Sequence, residues 1–113
     1  MTLHLPEATV QKAFDALNSD EHWEAKLVYE RTERERKTLL ARLEREATGN
    51  GAKTQRDRET YALTHPHYTA LCERLNAAEE DYFRARDRRD SAVTIMDVWR
   101  TMRSDQRAGT NVR

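Results

Sequence analysis

Helix breakers are scarce in this chain. It has three glycines and two prolines in 113 residues, so long stretches contain nothing that would stop a helix. A single cysteine, Cys72, excludes an intrachain disulfide. No apolar run approaches the ~20 residues that cross a bilayer as a helix, and nothing resembles a signal peptide, so the cytoplasm is the expected compartment. Excess charge of one sign is also missing. Twenty Lys and Arg balance twenty Asp and Glu, so no global field draws the protein toward nucleic acid or membrane, and any such contact must come from a local patch. Apolar residues make up only 37% of the sequence against 35% charged, the bias of long solvated helices around a thin core. Disorder would carry the same polarity without the regular apolar spacing that follows.

Pro6 stands where a first helical turn accepts proline, and Val10, Ala13, Phe14 and Leu17 recur at helical spacing, which predicts a short amphipathic helix over 6–17. Asn18, Ser19 and Asp20 then predict a kink or short break. From Glu21 to Ala47 there is no breaker. Val28, Leu39, Leu40 and Leu43 supply apolar contacts, whereas Glu30 to Lys37 is wholly polar. Thr48-Gly49-Asn50-Gly51 closes this helix with a glycine able to turn left-handed, and 48–65 reads as a loop with at most one helical turn.

Thr64 or His65 caps a second long helix with Pro66 in its first turn, running over 66–103. Tyr68, Leu71, Leu75, Ala78, Tyr82, Ala85, Ala92, Met96 and Trp99 fall on alternating three- and four-residue steps, interrupted only by Arg89. Such a seam requires a partner helix. Folding the two long helices back on each other as an antiparallel pair sets Leu43 near Leu71, Val28 near Ala85 and Phe14 near Trp99, with Tyr82 over the stems of Arg31 and Glu35. The expected fold is therefore all-α, a long coiled-coil-like helical hairpin with a short N-terminal helix in one domain over 1–103, and residues 104–113 a flexible tail.

Toward the C-terminus Val93, Ile95, Val98 and Met102 widen the apolar face around Met96 and Trp99. A helix apolar over most of its circumference needs several neighbours. Either an oligomer core forms there, with Phe14, Leu17, Val93, Ile95, Met96, Trp99 and Met102 at the interface, or residues 3–17 wrap the face within one chain.

The polar residues offer three chemistries. His65-Pro66-His67 with Cys72 contains metal-ligand types, but the spacing fits no standard zinc motif and helix capping explains the histidines better. Cys72 lies one step off the seam, and no base can be assigned to it. Glu30 and Glu33 set against Asp87 and Asp90 would give a carboxylate site for metal-assisted hydrolysis, yet the interleaved Arg31, Arg34, Arg84 and Arg88 make ordinary helical ion pairs of them. No cofactor, metal or catalytic residue is expected. The third chemistry is basic. Arg34, Lys37, Arg42 and Arg45 on the first long helix, Lys53 and Arg56 after it, and Arg84 and Arg88 on the second are candidate nucleic-acid-binding residues, whose phosphate affinity rises if an assembly repeats them.

Leu40-Ala41-Arg42-Leu43-Glu44 running into Gly49-Asn50-Gly51 resembles the basic segment and glycine-rich loop of the UvsY-like phage recombination mediators. The likeness extends over Glu21 to Gly109 as a shared order: polar stretch, turn with proline, long second helix. Arg42 matches one of that family's basic pair, and Leu40 stands in place of its lysine. The resemblance implies a helical ring that binds single-stranded DNA, loads a recombinase and works in the host cytoplasm. The expected function is thus a non-enzymatic oligomer that binds single-stranded nucleic acid and organises a protein partner. The alternatives are a structural or adaptor protein, such as a virion component or anti-host factor that binds protein only, and the carboxylate-metal hydrolase.

Overall fold

The computed structural model of the chain describes residues 4–111. Among them are four helices and no strand: α1 (Glu7–Asn18), α2 (Glu21–Gly49), α3 (Gln55–Thr64) and α4 (Pro66–Asn111). The fold is an all-α helical hairpin in which α4 folds back along α2.

Each boundary has a local cause. Pro6 precedes α1, its carbonyl accepting from the amides of Thr9 and Val10, and Glu7 sits in the first turn where the helix dipole favours a carboxylate. Ser19 breaks the helix with an extended backbone, and its hydroxyl accepts from the Glu21 amide as α2 begins. At the end of α2, Gly51 takes φ +97°, its amide donates to Thr48, and Ala52 donates back to Ala47. This paired closure satisfies the last carbonyls and depends on a residue that tolerates positive φ. Pro66 opens α4, and Nδ1 of His65 accepts from the His67 amide at 3.1 Å, so His65 is the cap.

Two expectations about the elements are corrected. Residues 48–65 are not mainly loop: α3 occupies Gln55–Thr64 because the Thr54 hydroxyl caps the Asp57 amide at 3.1 Å and Ala62 is buried against Leu39, Leu43 and Leu71. The polar composition of 52–60 hid a helix whose single anchoring face lies at its C-terminal end. Nor is 104–111 a tail apart from the helix. α4 continues through Asn111, since no proline intervenes and a solvated polar turn costs little once the helix is nucleated. Residues 112–113 lie outside the described residues.

Packing divides into two compact units through which α2 and α4 both run. One joins the chain up to His22 with the chain from Arg84 onward, and the other is Trp23–Phe83. In the Trp23–Phe83 unit, Leu39, Leu43, Ala62 and Leu71 form a cluster with Leu40, Tyr61 and Tyr68 packed against it. Further along, Tyr29 and Tyr82 stack with ring centroids 5.6 Å apart and planes 12° from parallel. The Tyr82 ring thus packs on Tyr29, a partner that its seam position alone did not suggest. Thr32, in the wholly polar stretch, is buried, and its hydroxyl is satisfied by the Val28 carbonyl at 2.8 Å. Val28 itself is 49% exposed, so Tyr29 and Thr32 take the contacts expected of it.

In the other unit Ala13, Ala92 and Met96 are buried, with Val10, Ala16, Leu17, Ile95 and Trp99 packed around them. The wrapping alternative holds for this side of α4: α1 covers Met96 within one chain. Ala13 rather than Phe14 makes the contact. Phe14 is 52% exposed and takes no part in this cluster, to which Trp99 belongs. Glu21 and Arg88 form an ion pair here, and Arg89 approaches the His22 ring at 3.4 Å.

Leu43 is 1% exposed, and truncating it leaves a cavity that small neighbours cannot fill. Leu43→Ala is expected to cost about 2–5 kcal/mol in urea unfolding, whereas Val28→Ala stays within about 0.5 kcal/mol. A larger cost at Val28 than at Leu43 would contradict the assigned seam.

Candidate nucleic-acid interface

At 100° per residue, Arg31, Arg34, Thr38, Arg42 and Arg45 share an arc of about 80° on α2. Nothing apolar needs burial along that arc, so it stays at the surface while Leu39 and Leu43 turn inward. α4 runs beside it, and between them lies a groove of about 620 Å³. Arg31, Arg34 and Arg42 line it from α2, His67 and Arg74 line it from α4, and Leu39 and Leu71 form its apolar floor. Glu35 is the only carboxylate in the lining, and it is tied to Arg74 at 3.3 Å. Both members of that pair are about half exposed, so the bridge is weak and can yield to a stronger anion. The groove thus carries four guanidinium groups against one carboxylate in a chain with no net charge.

The basic residues singled out from the sequence separate in the structure. Arg34 and Arg42 line the groove, and Arg45 extends their row one turn further along α2. Lys37 lies on α2 but off this face. Lys53 and Arg56 are exposed between α2 and the first turn of α3. Arg84 and Arg88 belong to the other unit, where Arg88 is engaged by Glu21. Arg31, Arg74 and His67 complete the groove and were not among the candidates. Arg31 was legible from its spacing to Arg34 and Arg42, whereas Arg74 and His67 join only through the pairing of α4 with α2.

No family model, curated protein or solved structure matches this chain. Among the described residues no three His, Cys, Asp or Glu side chains gather into a group able to hold a metal ion. Cys72 is a half-buried free thiol.

Behind the groove the seam contains an arginine. The neighbouring Tyr68 makes the Arg36 guanidinium hold its proton more firmly than usual, against the opposing effect of burial. Its Nε is buried without a hydrogen-bond partner. An arginine is charged at any working pH, so the effect is positional: it fixes Arg36 against α4 and leaves the surface arginines to face solvent.

Two tyrosines are pushed above the ordinary value of 10.0. The charge of Glu33 is the main cause at Tyr29, with burial and Glu79 adding to it. At Tyr61 burial leads, followed by Glu46, while a hydrogen bond with Asn50 opposes them. Because the folded values lie above the unfolded one, their stabilising effect is complete below about pH 10 and is lost as pH rises through the folded values. Melting temperature is therefore expected to fall with pH beyond about 10, and less steeply in a Tyr29→Phe/Tyr61→Phe variant. Equal slopes in the two proteins, measured by thermal melts from pH 8 to 11.5, would contradict these assignments.

Proposed function

We propose that this protein is a non-enzymatic helical binding protein whose α2–α4 groove takes the phosphate backbone of single-stranded nucleic acid, acting in the manner of a recombination mediator. The observation that carries the reading is the lining of the groove: Arg31, Arg34, Arg42 and Arg74 around an apolar floor, with one carboxylate already paired. Guanidinium groups bind phosphate oxygens in a fork geometry, and several placed along one face follow a backbone without reading its sequence. The order of elements in the UvsY-like mediators, which the sequence resembles, agrees with this choice. Phe14, Val93 and Val98 are exposed apolar side chains in the unit that contains α1, on different faces of their helices, and offer contacts to a second copy or a protein partner.

Those exposed apolar side chains favour a second reading, an adaptor that binds protein alone. Salt dependence separates the two. Single strands release counterions in proportion to the phosphates engaged, with a log–log slope of about −0.7 per contact. An Arg31→Ala/Arg34→Ala/Arg42→Ala variant should weaken binding to a fluorescent oligothymidine and flatten the slope by about 2, with circular dichroism unchanged. If wild-type protein shows no binding at 50 mM salt or below, the nucleic-acid reading falls and the adaptor reading stands. Sedimentation at several concentrations tests the self-association part, which a monomer at every concentration would remove.

A further inference from the structure

The groove accounts for the arginines of α2 but not for the tryptophan that shares their face. Trp23 is 57% exposed and belongs to neither buried cluster. Its one recorded ring contact is the Lys26 ammonium, 5.8 Å from the ring centroid. Tryptophan offers more apolar surface for burial than any other side chain, so leaving it in water forgoes stabilisation. Helical geometry places it with purpose. Trp23, Leu27, Arg31, Arg34, Thr38, Arg42 and Arg45 all fall within an arc of about 100° along roughly 33 Å of helix, a stretch that about ten stacked nucleotides would cover at ~3.4 Å each. Glu24, Glu30 and Glu35 stand at or just beyond the edges of this arc, Glu35 paired with Arg74, and no carboxylate lies along its middle.

An exposed aromatic ring at one end of a row of arginines is the pairing that single strands use: bases stack on the ring while cations follow the phosphates. We infer that Trp23 is a base-stacking platform for single-stranded nucleic acid, set at one end of the Arg31–Arg45 row that holds the backbone. The inference rests on the nucleic-acid reading of the groove and adds to it a preference. A duplex keeps its bases stacked inside and offers Trp23 no free face, so the ring discriminates strand from duplex, whereas the arginines alone bind any phosphate polymer. Because every base has a π face, the preference carries no sequence requirement. Lys26, whose ammonium lies over one face of the ring, brings a cation to the same place.

The test uses the full chain with three probes: fluorescent oligothymidine, a duplex of the same length, and inorganic polyphosphate, which has charge but no bases. Trp23→Ala should weaken oligothymidine binding by roughly 5- to 150-fold, Trp23→Phe should retain part of the affinity, and the affinities for polyphosphate and duplex should not change. Tryptophan emission of the wild type should be quenched by the oligonucleotide and not by polyphosphate. Equal weakening toward oligothymidine and polyphosphate would overturn the inference by making Trp23 structural. Unchanged oligothymidine binding in Trp23→Ala would overturn the stacking role while leaving the arginine groove intact. If the wild type binds none of the three probes, the groove reading fails and this inference with it.

Discussion

Alanines at 78, 85 and 92 recur every seven residues along one line of α4, and all three are buried. They are the constraint on which the rest of the structure depends. A helix whose seam is filled with methyl groups lets its partner's backbone come close, and the separation of two packed helices follows the side chains between them. Leu71 and Trp99 sit on the same seven-residue line at either side of the alanines. On the neighbouring line Tyr68, Leu75, Tyr82 and Met96 supply the bulk. The partners answer with small residues of their own: Ala13 from α1, Thr32 and Ala47 from α2, and Ala62 from α3 are all buried. The core is thin because it is built from methyls, and among the described residues Leu43 is the one large side chain that is fully enclosed.

A thin core leaves most side chains at the surface, which explains the charge density of the chain. It also explains how α2 crosses Glu30 to Lys37 without an apolar residue. Thr32 turns its hydroxyl back to the Val28 carbonyl and presents its methyl inward, while Arg36 lies in the seam against Tyr68. Where leucines would have filled this face, the seam instead uses a threonine, an arginine and the Tyr29–Tyr82 stack. Polar residues at seam positions favour one register over its neighbours, since a shifted pairing would leave Arg36 facing an apolar surface without its tyrosine. The outer face of α2 is then free to carry arginines in a row.

The hairpin was legible from α4 because its seam repeats without a gap except Arg89, and every other seam position is buried or half-buried. The α2 side was less legible. A search for leucine and valine selects Val28, although the geometry selects Tyr29 and Thr32. α3 was hidden for a related reason: ten residues with one buried alanine carry almost no periodic signal, and the cap at Thr54 is visible only once the helix is known. The candidate site was half legible. Spacing on one helix groups Arg31, Arg34, Arg42 and Arg45, but His67 and Arg74 come from a helix whose register with α2 no spacing rule sets to within one residue. Trp23 passed unnoticed because its significance lies in remaining exposed.

The groove requires that α4 fold back on α2 of the same chain, whereas the row of arginines and Trp23 lie on α2 alone. An equivalent seam formed between two chains would bury the same residues and yet build the groove from two molecules. Nitroxide labels at Tyr29→Cys and Tyr82→Cys in a Cys72→Ser chain test this most directly, because these two rings stack in the hairpin. A hairpin within one chain gives a short inter-label distance, consistent with helix axes about 8–10 Å apart, that persists unchanged when labelled protein is unfolded and refolded with a large excess of unlabelled chain. Loss of the short distance on that dilution would show that the pairing is between chains and that the groove is not built by one molecule.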